Sequence, residues 1–362
     1  MRLNEIARES KSTFKGDKTD LPIVGLEHLI PGELTLTEYD VNTKNTFTKF
    51  FRKGQVLFGR RRAYLKKASL AEFDGVCSGD IIVIEPIEGK VYPDLLPFII
   101  QNDRFFAYAV SKSAGGLSPR VKWQDIADYE LSLPSLSAQR ELSKKLWAAY
   151  RLKESYKKLL LATRDMVKSQ FIEMFGNHQR IATISDFVDL EILNVKKKYS
   201  KGDKILYIDI SSIDGNSNQV KSTTEYIVGK EPSRAQQCVQ KGDILVSTVR
   251  PNKRNIAVIG IENKNLVAST GFCILRSKKG YQEYLLSVVK SDEYTNAMIE
   301  KAYGGVYPAV NNSDILSFAV PMPSEYELKR FSDIYIQADK SEFELKKSIE
   351  AIDAVIKSLI NN

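Results

Sequence analysis

The sequence predicts an α+β protein: two tandem α/β domains, separated and followed by long helices that pair as an antiparallel coiled coil. Three observations predict it. The chain repeats itself at a nearly constant offset. Two long stretches free of proline and glycine carry apolar residues at helical spacing. Short β-branched runs, punctuated by glycine turns, fill the remainder.

The repeat is clearest in residues 114–142 and 303–331. Gly115-Gly116 falls on Gly304-Gly305, an offset of 189 residues, and Pro119, Val121, Asp125-Ile126 and Pro134 fall on Pro308, Val310, Asp314-Ile315 and Pro323. Upstream the register continues with small slips in polar stretches, where loops tolerate length changes. Lys53-Gly54 before Val56-Leu57-Phe58 parallels Lys241-Gly242 before Ile244-Leu245-Val246. Val76-Cys77-Ser78 parallels Val267-Ala268-Ser269, and Leu21–Val24 parallels Ile205–Ile208. Two copies of one module follow, with a first domain over 1–136, a helix over 137–176, a second domain over 177–324 and a helix over 325–362.

The helices are read from their stripes. Stepping 4,3,4,3 from Leu142 gives Leu146, Ala149, Lys153, Tyr156, Leu160, Thr163 and Val167, apolar except at Lys153 and Thr163. The second stretch gives Phe331, Tyr335, Ala338, Glu342, Leu345, Ile349, Ile352, Ile356 and Leu359, apolar except at Glu342. A mean spacing of 3.5 keeps one stripe facing a partner helix. Lys153 falls on Glu342 in the repeat, so an antiparallel pairing allows a central Lys153–Glu342 ion pair; two separate solvated charges fit the sequence as well. A helix of about 38 residues is roughly 57 Å long, a rigid spacer.

Composition narrows the function. The 362 residues carry a net charge of +8, which favours a polyanionic partner such as nucleic acid. No apolar run is long enough for a membrane span, and the N-terminus lacks a secretory core, so the expected location is the cytoplasm. Three widely spaced cysteines (Cys77, Cys238, Cys273) suit a reducing compartment, and two histidines are too few for a zinc site or a histidine-based triad. No phosphate-binding loop, dinucleotide fingerprint or adenine-methyltransferase element is present. The nearest approach to a metal-dependent nuclease is Asp243 with Glu262-Asn263-Lys264, although the first module has Gln55 in place of Asp243.

The basic residues cluster. Residues 49–67 contain no acid, and Arg60-Arg61-Arg62, Tyr64, Lys66 and Lys67 follow a strand-like run. The second module has Thr248, Arg250, Asn252, Lys253 and Arg254 at the matching place, with Pro251 stiffening the turn. Arginine can hold guanine O6 and N7 with two bonds or clamp a phosphate, and asparagine can read adenine. A second cluster surrounds the Gly-Gly pairs: Lys112, Ser118, Arg120 and Lys122 in one module, Lys301, Tyr303 and Tyr307 in the other. A solvated turn is the alternative for each. Lys196-Lys197-Lys198 with Lys201 is a third basic run, suited at most to phosphate contact.

The strings Val56–Leu65, Gly242–Pro251, Ala268–Phe272 and Gly304–Pro308 resemble the target-recognition domains of type I restriction–modification specificity subunits. So do Pro321-Met322-Pro323 leading into a helix and Met174-Phe175-Gly176 closing one. The resemblance covers essentially the whole chain. It implies a subunit without an active site or cofactor of its own, whose two domains each read one half of a split double-stranded DNA site. It also implies helices that set the gap and dock two adenine methyltransferase subunits carrying S-adenosylmethionine, with separate motor–nuclease subunits cutting unmodified DNA. Because Gly59-Arg60-Arg61-Arg62 replaces the Ser-Thr-x-x-Pro form of the second module, the two halves are expected to read different sequences. A self-sufficient nuclease built on Asp243 and Glu262, and a stand-alone bipartite DNA-binding regulator, are the competing expectations.

Overall fold

The computed structural model describes residues 1–179, 181–215 and 217–361. Two compact units emerge: Met1–Lys158 together with residues 346–361, and Leu159–Leu345. The division therefore falls inside both long helices, Leu136–Phe175 and Glu325–Asn361.

In the first unit, Val56–Gly59 lies between Ala68–Leu70 and Ile81–Pro86, with Ala7–Glu9 outside the latter, all antiparallel. A three-stranded sheet beside it pairs Gly75–Cys77 with Ile23–Val24 in parallel and with Lys49–Phe51 antiparallel. The second unit repeats both arrangements. Ile244–Ser247 lies between Ile256–Val258 and Phe272–Ser277, and Leu266–Ser269 pairs in parallel with Lys204–Ile208 and antiparallel with Ala235–Cys238.

The central strands read as continuous apolar runs because they are covered on both faces. Successive side chains of a strand point to opposite sides. Val56 and Phe58 accordingly join a core with Ile82, Ile84 and Phe105, while Leu57 joins another with Phe51, Ile81 and Val83. Ile244 and Val246 likewise pack with Cys273 and Tyr284, and Leu245 with Ala257 and Ile274.

The helical stripes are confirmed: every stripe position named above is buried or half-buried. Each unit contains one stretch of paired helix. In the first, Leu146 and Tyr150 share a core with Ile356, Leu359 and Ile360, and Lys153 Nζ donates to Asp353 Oδ1 at 2.7 Å. In the second, Arg164 Nε donates to Glu342 Oε2 at 3.1 Å, and Phe171 meets Phe331 with ring centroids 5.6 Å apart. Moving forward along one helix moves backward along the other, so the pairing is antiparallel. The start of the second helix is fixed by a reciprocal cap: the Ser324 N–H donates to Glu327 Oε2 at 2.9 Å, and the Glu327 N–H donates to Ser324 Oγ at 3.3 Å.

The central Lys153–Glu342 pair does not form. Asp353 stands in the repeat where Arg164 stands, so Lys153–Asp353 and Arg164–Glu342 are the same contact made once in each unit. Residues that are equivalent in a repeat meet each other only where the repeat crosses itself, and Lys153 lies short of that point.

Lys153 is the best-buried charge of this contact, with 12% of its side chain exposed. Lys153→Glu is expected to destabilise the chain in urea unfolding, and adding Asp353→Lys to recover about 1 kcal/mol in a double-mutant cycle. A coupling of zero would show that the pair contributes nothing.

Candidate nucleic-acid interface

The two basic loops are one structure built twice. After Gly59 and Ser247 the chain leaves the sheet, and the N–H groups of Arg60 and Thr248 each donate at 2.9 Å to the carbonyls of Asp80 and Gly271. Two residues on, Arg62 and Arg250 take the left-handed conformation at φ 54° and 52°, a three-residue 3-10 turn follows, and Lys66 and Arg254 are left-handed again at φ 52° and 49°. Non-glycine residues reach this region at a cost of about 1–3 kcal/mol each, and such strain concentrates at functional sites.

The hairpin carrying the Gly-Gly pair is bonded to this loop. Arg62 and Arg250 N–H groups donate to the carbonyls of Pro119 and Pro308 at 2.8 and 2.7 Å, and Val121 and Val310 N–H groups donate to those of Arg60 and Thr248 at 3.0 and 2.9 Å. Ala114 with Arg120, and Tyr303 with Ala309, close the hairpins by paired backbone bonds. The structure thus brings together two clusters that are more than 40 residues apart in each module.

Most of the expected side chains reach the surface here. Arg62, Tyr64, Lys66, Lys112, Arg120 and Lys122 are exposed in the first unit, as are Asn252, Lys253, Arg254 and Tyr307 in the second; Arg60 and Arg61 are half-buried. The Arg250 guanidinium lies 4.3 Å from the centre of the Tyr307 ring, and Lys112 Nζ lies 5.4 Å from that of Tyr108. Two of the residues do other work. Thr248 is buried with its hydroxyl donating to the Gly271 carbonyl at 3.0 Å, and Lys67 donates to the Leu26 carbonyl at 2.6 Å. In the third basic run, Lys198 lies on the Tyr199 ring and donates to the Lys264 carbonyl.

The sequence reading missed the acids of these loops. Asp103 and Asp292 open short helices and each takes two cations. Lys66 Nζ lies 2.7 Å and Lys357 Nζ 3.1 Å from Asp103, and Arg254 Nη2 and Lys168 Nζ both lie 2.6 Å from Asp292. The aspartates and the helix lysines sit at the 189 offset and the loop cations Lys66 and Arg254 at 188, so the cation closing each turn is tied through an aspartate to a lysine on a long helix. The Lys66 bond, and then that of Lys357, hold the Asp103 carboxyl below the ordinary aspartate range; Lys168 and then Arg254 do the same for Asp292. With depressed values in the folded state, these ties stand at neutral pH and are lost as pH falls through the lowered values. The offset that aligns Asp103 with Asp292 was the one available signal.

The glycines divide by role. Gly115 and Gly304 have φ of 116° and 97°, which a side chain would strain, whereas Gly116 and Gly305 have ordinary φ and nothing within 4 Å of an added Cβ. Among the described residues, no contact excludes a side chain at the second glycine.

The nuclease expectation is not supported by geometry. Asp243 is 1% exposed, and both its oxygens are held by Arg276, Nε to Oδ1 at 2.9 Å and Nη2 to Oδ2 at 2.8 Å. Glu262 is exposed and pairs with Lys241. Among the described residues, no group of three or more His, Cys, Asp or Glu stands where it could hold a metal. The three cysteines are buried free thiols, and burial pushes Cys77 and Cys273 up to about 12. No helix among the described residues is long and apolar enough to cross a membrane.

Comparison with known proteins gives one consistent likeness. No family model matches the chain. It is 27% identical over 96 residues to the Type I restriction enzyme EcoDI specificity subunit of Escherichia coli, a match covering 26% of this chain and 21% of that protein. The matched stretch is thus about a fifth of the relative's length. Over 99% of this chain and 94% of the other, the fold is that of the type I restriction–modification S subunit from M. genitalium, at a TM-score of 0.60 and 12% identity. A chain from a type I restriction–modification system, solved to explain complex assembly and conformational transition, is covered to 96% by all of this chain at a TM-score of 0.55 and 16% identity. The chain resembles type I specificity subunits in sequence over a part and shares their fold throughout.

Two outcomes follow from the ion pairs. Asp103→Asn releases Lys66 and Lys357 together and is expected to raise affinity for random duplex DNA at low salt, with a salt slope steeper by about 1–2; an unchanged slope would show that neither lysine reaches phosphate. Asp243→Ala leaves Arg276 without its carboxylate and is expected to cost about 3 kcal/mol in urea unfolding.

Proposed function

We propose that this chain is the DNA-reading specificity subunit of a type I restriction–modification complex and carries no catalytic site of its own. Each unit reads one half of a split, asymmetric site. The long helices set the gap between the halves and dock two adenine methyltransferase subunits, which bring S-adenosylmethionine; motor–nuclease subunits complete the assembly in the cytoplasm.

The observation that carries this reading is the doubled interface. Two units place a strained basic loop and a Gly-Gly hairpin on the same backbone, while their side chains differ. A shared scaffold with exchanged side chains is what reading two different half-sites in one docking geometry requires. The net charge of +8 supplies the sequence-independent attraction to phosphate. Arg62, Lys112 and Lys122 in one unit, and Lys253 in the other, are candidates for contact with the DNA phosphates. Asn252, Arg250 and Tyr307 are candidates for base contact in the second unit. Gly116 and Gly305, with no demand for glycine from within the chain, fit a close approach of the DNA backbone.

The deciding experiment maps adenine methylation across the source genome with and without the gene. A split motif that vanishes on deletion is expected; an unchanged methylation map would count against the proposal. Gly116→Ala is expected to leave thermal unfolding unchanged and to weaken duplex binding severalfold, and equal binding would remove the close-approach role.

A further inference from the structure

The two loops differ most sharply at one place. In the first unit, Arg120 donates side-on to Asp80, Nε to Oδ1 at 2.7 Å and Nη2 to Oδ2 at 3.2 Å. Arg61 stands beside them, with Nη1 3.7 Å from Asp80 Oδ2 and Nη2 donating to Ser118 Oγ at 3.2 Å. In the second unit the same backbone positions hold Gly271 for Asp80, Ala309 for Arg120, Val249 for Arg61 and Tyr307 for Ser118. The equivalence is fixed by the shared hydrogen bonds of the strand end and the hairpin. One unit has a carboxylate-held arginine pair at these positions; the other has neither the carboxylate nor that pair, and its Arg250 lies over the Tyr307 ring instead.

We propose that Arg120 reads a guanine in the half-site of the first unit, and that Asp80 is the positioning residue that presents it. This rests on the DNA-reading function above and gives one of its bases. The carboxylate occupies the inner edge of the guanidinium, Nε and one Nη2 hydrogen. The outer edge, with the Nη1 hydrogens and the remaining Nη2 hydrogen, is left to a partner. Arg120 is exposed, Asp80 is mostly covered, and the bonds to Asp80 use Nε and Nη2 rather than Nη1. Two parallel donors match guanine O6 and N7, while adenine offers a donor at N6 in place of one acceptor. Asp80 neutralises one of the three guanidiniums around it, Arg120, Arg61 and Arg60, and fixes the direction of the Arg120 fork, which a directional base contact needs and a phosphate contact does not. Arg61 and Ser118 hold the pair from the side. The second unit presents no carboxylate-held arginine at the equivalent position, so the two halves differ there.

The test uses the purified full chain and a random-duplex library at low salt. The selected motif is expected to contain a guanine in one half whose preference falls by about tenfold or more in both Asp80→Asn and Arg120→Lys. The other half should stay unchanged, and non-specific binding should hold or rise. Replacing that guanine by 7-deazaguanine, which lacks the N7 acceptor, should weaken the wild-type chain and not the variants. A role confined to stability would lower all binding together, and thermal unfolding of both variants checks this; Arg120→Lys, at an exposed site, covers the case in which Asp80→Asn does not fold. A guanine preference retained in both variants would overturn the inference, as would equal weakening on every duplex, which marks phosphate contact. A wild-type chain that selects no motif would overturn the DNA-reading function itself, and this inference with it.

Discussion

Each globular core closes with segments of both long helices, and for the first unit one of them comes from the far end of the chain. Leu146 and Tyr150 of the first unit pack with Ile356, Leu359 and Ile360, and the second unit buries Phe175 and Phe331 among Val167, Phe171 and Tyr335. Burying such a side chain is worth about 2 kcal/mol, more than any surface ion pair on the molecule can supply. The antiparallel pairing therefore belongs to the cores themselves. It explains why contacts such as Lys153–Asp353 span 200 residues of sequence, and why the compact units divide inside the helices.

The loops depend on that packing in turn. Four left-handed non-glycine residues cannot persist without bonds that fix them: Arg62 and Arg250 bond to the Gly-Gly hairpin and open the turns, and Lys66 and Arg254 close those turns. Asp103 and Asp292 add a tie from loop to helix. The consequence is a surface whose cations are partly neutralised in advance. Lys66 and Arg254, which composition alone would count as free phosphate contacts, are already paired. Net positive charge attracts a polyanion; the acids decide which cations remain to meet it.

Much of the fold was legible because it was written twice. A single amphipathic stretch or a single glycine pair is weak, but the same features at one offset reinforce each other, and the stripes from Leu142 and Phe331 proved to be the buried faces. The Lys153–Glu342 pairing failed for a definite reason: an offset identifies counterparts, and counterparts meet only at the crossing point of the two helices. The site was legible in its basic residues and not in its acids. Arg60–Arg62, Arg250 and the hairpin residues stand out by charge density. Asp80, the one acid between Asp74 and Glu85, is meaningful only because the hairpin folds Arg120 onto it, 40 residues away.

The sequence by itself determined the two modules, the strand and helix periods, the seam and the basic loops, because these follow from local spacing and from repetition. The tertiary structure alone decided which charges are spent inside the protein. It buried Asp243 against Arg276 and so removed it from any metal chemistry, tied Lys66 and Arg254 to aspartates, and set Asp80 beneath Arg120. Ion pairing acts over a few ångströms between residues tens of positions apart, and only the folded backbone brings those positions within reach.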